Sequence, residues 1–134
     1  MADQSVTITE YNGPDNPEFN GVQKVKWVWV SSTAGTVVTS TAAGLNPTTT
    51  HYYTGEITRL ITNPSSTAPT DNYDITILDS DGYDVLMGGG ANRHTSTTQQ
   101  VLASSLGMCQ YTPLTLKVEN AGSNKGGEVI VYIK

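Results

Sequence analysis

Apolar residues recur at every second position through most of this chain, and that period constrains it more than any motif does. In "SVTITEY", residues 5–11, Val6 and Ile8 alternate with Thr7 and Thr9; in "LTLKVE", residues 114–119, Leu114, Leu116 and Val118 alternate with Thr115, Lys117 and Glu119. The closing "GEVIVYIK" repeats the scheme with Val129, Val131 and Ile133. A strand points successive side chains to opposite faces, whereas a helix brings every third or fourth residue together, so this spacing predicts strands with one buried face. Runs of the same kind are "VQKVKWVWVS", "GTVVTS", "YYTGEITRLIT", "YDITIL" and a short "DVLM". Roughly eight antiparallel strands at this spacing predict an all-β fold, a jelly-roll-like sandwich or barrel. A chain of 134 residues suits a single β domain spanning 1–134.

Several local expectations follow. Val25, Trp27 and Trp29 share one face of their strand, and the other face changes from Lys24 and Lys26 to Val28 and Val30, so that end reads as covered on both sides. Aromatic residues in this setting are core before they are a ligand platform. "NAGSNKGG", residues 120–127, carries the Asn and Gly residues that tolerate reversal of the chain and predicts a C-terminal hairpin. Strict alternation would put Arg59 on the side of Ile57 and Ile61, where the guanidinium needs a strand end, water or an acid. "TNPSSTAPTDN" belongs at an edge or tip, because its prolines cannot donate to a central ladder. "YNGPDNPEFNG" reads as an extended arm or long loop, with 1–22 forming arm and first strand, and a short helix is placed over 97–104.

The densest chemistry lies in "YDITILDSDGYDVLM", where Asp79, Asp81 and Asp84 fall within six positions. An EF-hand loop places its glycine at position 6 and a bidentate Glu at 12; here Gly82 comes two places early and strands replace the flanking helices. "DG" between alternating apolar runs is a hairpin signal, so the stretch reads as a turn. "GGGANRHTS" fits neither a P-loop nor a dinucleotide fingerprint and reads as a flexible loop. His51 and His94 have no close metal-ligand companions, Cys109 reads as a small buried hydrophobe, and no nucleophile elbow occurs. No metal or other cofactor is called for, and the chain reads as a non-enzyme. The net charge of −5 disfavours nucleic acid, and no apolar run approaches membrane-spanning length. The polar opening "MADQSVTITE" lacks the apolar core of a signal peptide, which points to synthesis in the cytoplasm.

Charged residues make up only 14% of the chain, a poverty that suits a surface covered by neighbours. "YYTGEITRLITNPSSTAPTDNYDITILDSDGYDVLMGGGANR", followed by "LTLKVENAGSNKGGEVIVYIK", resembles small β-rich virion proteins encoded among tailed-phage head genes, the capsid decoration or cement proteins. The resemblance covers residues 52–134, and "PTDNYDITILDSDGYD" is its most distinctive piece. It implies a sandwich or jelly-roll body, self-association as dimer or trimer, attachment to the major capsid protein on the outer capsid surface of the virion, and no catalysis. It supplies no catalytic motif to carry over. On this reading the N-terminal arm makes the capsid or subunit contacts, with Val6, Ile8, Tyr11 and Phe19 as anchors, either by pairing with a neighbour's edge or from the first strand of the protein's own sheet. The alternative is a carbohydrate-binding β-sandwich module displayed on a virion, using Trp27, Trp29 or the tyrosines with Asp79 and Asp81. A hydrolase assembled from distant His and Asp residues comes third.

Overall fold

The computed structural model describes residues 4–11, 21–37, 49 and 51–134. Among them are eight strands: β1 (Ser5–Tyr11), β2 (Gln23–Val30), β3 (Tyr53–Pro64), β4 (Asp74–Leu78), β5 (Gln99–Leu102), β6 (Met108–Thr112), β7 (Thr115–Glu119) and β8 (Gly126–Ile133). Every pairing is antiparallel. The larger sheet runs β1-β2-β8-β3-β5, and β6 continues the β5 edge along β3 after a 3₁₀ turn at Ala103–Ser105. A smaller sheet holds β4 and β7, widened by single bridges from Val37 to Val118 and from Asp84 to Leu78. The two faces close on one core. Val25, Trp27, Trp29, Leu60, Val129 and Val131 come from the large sheet, and Ile75, Ile77, Leu116 and Val118 from the small one. Each set keeps the period of two, so the all-β sandwich follows from the alternation.

The C-terminal hairpin is not formed. β7 pairs with β4 and β8 lies between β2 and β3, so residues 120–125 cross from one sheet to the other. The Asn and Gly residues do turn the chain: Asn120, Asn124 and Gly122 all have positive φ. Reversal by itself does not decide which strand becomes the neighbour. Two other connections cross at the same end, and the three are joined by backbone hydrogen bonds. Ser31 N donates to Lys125 O at 2.7 Å, Ala121 N to Gly35 O at 2.9 Å, Thr70 N to Ala121 O at 2.8 Å and Ser65 N to Gly126 O at 3.0 Å. Ser31 Oγ adds a bond to Gly122 O at 2.7 Å. The Pro-rich segment after β3 thus lies at a sandwich end, as its composition predicts.

Three further expectations are corrected. A bulge shifts the register of β3 on β8 between Ile57 and Arg59, so Ile57, Leu60 and Thr62 face the core while Arg59 and Ile61 turn outward. Arg59 is exposed; its Nε donates to Gln100 Oε1 at 2.8 Å and its guanidinium lies 5.7 Å from the Tyr132 ring centre. Val28 and Val30 are not covered on both sides: they are 40% and 38% exposed and line an open depression of about 210 Å³ with Pro64, Gly126 and Glu128. The helix placed over 97–104 is strand β5 followed by the single 3₁₀ turn, because the β3 edge offers those residues a ladder. Of "GTVVTS", Val37 forms its bridge, and residues 38–40 lie outside the described set.

Gly90 marks how closely its segment approaches β4, where its carbonyl accepts from Ile75 N at 2.8 Å. A Cβ there would collide with the Ile75 carbonyl and come within 3.0 Å of Leu86 Cδ1. Gly82, at φ +86, has open space around it. Gly90→Ala is expected to cost about 2–3 kcal/mol through forced backbone movement, and Gly82→Ala about 1 kcal/mol through backbone conformation alone. Urea unfolding of both variants checks this ordering.

Candidate interaction surface

The acidic turn is built from its own carboxylates. Asp79 Oδ1 accepts from Asp81 N at 2.9 Å and Tyr83 N at 3.0 Å, closing a tight bend in which Gly82 supplies the positive φ. Asp84 Oδ1 accepts from Ile77 N at 3.2 Å and Leu86 N at 2.9 Å, and its Oδ2 from Gly88 N at 2.8 Å. A carboxylate accepting several backbone N–H groups stands in for a ladder that the chain cannot form there. Asp74 and Asp71 act alike, accepting from Asn92 N at 2.9 Å and Thr95 N at 3.1 Å. His94 Nδ1 accepts from Ser96 N and Thr97 N, both at 3.0 Å, so the imidazole also holds a loop. His51 packs edge-on against Tyr53, and its backbone N–H, with the Tyr53 hydroxyl, donates to Glu10 Oε2 at 3.2 and 2.9 Å. Trp27 and Trp29 are core, which takes them out of any surface stacking platform.

Large apolar side chains gather elsewhere. Segment 80–87 runs beside β6: Gly107 N donates to Val85 O at 2.9 Å, and Ser80 N to Thr112 Oγ1 at 2.8 Å. From these two segments project Tyr83 (74% exposed), Met87 (72%), Met108 and Tyr111 (74%), with Tyr52 stacked on Tyr111 at a ring separation of 4.8 Å. Among the described residues, six non-glycine residues have positive φ. Four are asparagines, which tolerate it; the other two are Met87 (φ 53) and Tyr111 (φ 47). For bulky side chains this conformation costs about 1–2 kcal/mol per residue. Both are held in place: Asp84 pins the turn that carries Met87, and Thr54 Oγ1 accepts from Tyr111 N at 2.9 Å beside a register shift in β3. Both side chains are thereby held largely in solvent, the Tyr111 ring packing on Tyr52. No residue type in the sequence signals this; the strain appears only in the backbone.

The anchors expected in the arm divide. Val6 and Ile8 belong to β1, which pairs with β2, and both lean inward against the core. Residues 5–11 thus form the first strand of the protein's own sheet. Tyr11, half-buried, lies 4.9 Å under the Lys24 ammonium in a row continued by Tyr132. Phe19 lies outside the described residues. Comparison with protein-family models, with curated proteins and with solved structures returns no match.

Asp84→Ala is expected to lower stability by about 2–4 kcal/mol, because it strands the three N–H groups that Asp84 holds. Calcium or a chelator should leave the melting temperature of the wild type unchanged; a calcium-dependent rise would convert the turn back into a cation site. Cys109 is buried, and desolvation, reinforced by the nearby Asp79 charge, pushes its thiol from 9.0 up to about 12. Burial also raises the Tyr73 hydroxyl. Both groups are neutral in the fold and ionise more readily once unfolded; the Cys109 contribution is complete below pH 9 and is lost as pH rises toward 12, and that of Tyr73 has the same sign. Denaturant titrations should show falling stability above pH 9, with a shallower fall in Cys109→Ala.

Proposed function

We propose that this protein is a capsid decoration protein, a non-catalytic cement that attaches to the outside of a tailed-phage head and strengthens contacts between major capsid proteins. The observation that carries this reading is the strained, exposed Tyr/Met surface on segment 80–87 and β6. It lies within the stretch whose sequence resembles decoration proteins. Tyr is favoured at protein contacts because it brings a large rigid area at low entropic cost, and Met because its flexible thioether adapts to the partner. A stable contact buries ~1,600 Å² in total. Many copies on one shell add their contributions, so modest single-site affinity suffices to reinforce it. Asp79, Asp84 and Asp74 are engaged in holding loops. A glycan-stacking role would rest on the tyrosines alone, the tryptophans being interior.

The test is to mix the purified protein with undecorated heads and image them by cryo-electron microscopy. Ordered density on the shell is expected, with Tyr52, Tyr83 and Tyr111 at the contact. Tyr111→Asn should relieve backbone strain, leaving stability unchanged or raising it by up to about 1 kcal/mol, while lowering occupancy. Bare heads at saturating protein, or full occupancy by a Tyr52→Ala/Tyr111→Asn variant, would overturn the reading.

A further inference from the structure

Among the described residues β1 is an outer strand of the larger sheet, and its outer edge from Ser5 to Thr9 is unlike the opposite one. The β5–β6 edge is broken by the Ala103–Ser105 turn and covered at Gly107, where Val85 accepts the backbone N–H. β1 runs for seven residues without proline, glycine, lysine or bulge. These are the devices by which proteins usually protect an edge. Among the described residues no strand lies on the far side of β1, and none accepts or donates a backbone bond there from Ser5 to Thr9. That stretch carries no charge. Beside it on the outer face stand Val28, in register with Thr7, and Val30, in register with Ser5, both more than a third exposed.

The sequence of β1 is matched to itself. Two antiparallel copies keep their inward faces together only when paired residue numbers have an even sum. Placing Thr7 opposite Thr7 sets Val6 against Ile8 of the second copy and Ser5 against its Thr9, so apolar meets apolar on the core side and hydroxyl meets hydroxyl outside. Centring the pair on Ile8 sets Val6 against a carboxylate, Glu10; centring it on Val6 sets Ile8 against the amide of Gln4. We propose that two copies of this chain pair through β1 about a two-fold axis at Thr7, joining their large sheets into one continuous sheet. Such a contact is isologous. It supplies roughly four to six backbone hydrogen bonds and brings the exposed Val28 side chains of both copies alongside the paired Thr7 residues. The inference is independent of the capsid reading, since it concerns the protein in the absence of heads.

Sedimentation equilibrium of the full chain tests it. A reversible dimer is expected, and Thr7→Glu, which sets like charges face to face at the axis, should raise the dissociation constant by at least about tenfold. Thr7→Ser should not. As a second arm, Thr7→Cys should be joined between chains by a short bis-maleimide, while Ser123→Cys, on the crossover before β8, should stay unlinked; native Cys109 is buried and does not interfere. If Thr7→Glu proves unfolded by circular dichroism, the cross-linking arm decides. A monomer at high concentration, a trimer, or a dimer in which Thr7→Cys fails to cross-link overturns the proposal.

Discussion

The small sheet is the constraint on which this structure depends. β4 and β7 share only a five-residue ladder, yet they must cover the face of a sheet five strands wide. The rest of that covering layer is irregular chain, whose buried N–H and C=O groups find no regular partner. They are satisfied in two ways. At one end the three crossovers bond to one another, with Ser31 and Ala121 as the central links. Along the flank, Asp79, Asp84, Asp74 and Asp71 take N–H groups that a third and fourth strand would otherwise have taken. Carboxylates suit this work because a charged acceptor makes a stronger bond and its two oxygens can serve several donors.

This use of acids bears directly on function. Their carboxylates bind donors in the chain itself, and the His94 imidazole does the same. Beside these engaged acids, Tyr83, Met87, Met108 and Tyr111 face outward. The same pinning creates the exposed surface: the turn closed by Asp84 carries Met87 into a conformation its side chain disfavours, and the β3 irregularity at Thr54 does so for Tyr111. Stability is given up there with little packing return beyond the Tyr52–Tyr111 contact, and the proposed adhesion rests on that pattern.

Much of this was legible in the sequence because the period of two is a direct record of burial. It located β1, β2, β3, β4, β7 and β8 and named most of the core, from Trp27 and Trp29 to Val131. It failed where geometry breaks the period or where partners are chosen over long range. The bulge at Thr58 sends Arg59 out and leaves Ile57 in, which no count of alternate residues reveals. The link between β7 and β8 has hairpin residues, but the choice between local pairing and crossing is made by β2 and β3, which take up both edges of β8. β5 and β6 were missed because neither alternates cleanly: Gln99 and Gln100 are polar, and Tyr111 is turned outward by its own backbone. The acidic stretch was read correctly as a turn, but "DVLM" after it forms only the Asp84–Leu78 bridge and then turns, so the expected strand is absent there; the Tyr/Met surface had no sequence signature.

Hydrogen–deuterium exchange of the protein, free and bound to undecorated heads, tests the central claim most directly. If adhesion runs through the strained surface, amides of 80–87 and 108–112 should slow on binding while the core strands β2 and β8 stay as they were. Protection confined to residues 5–11, or identical exchange in the two states, would contradict it.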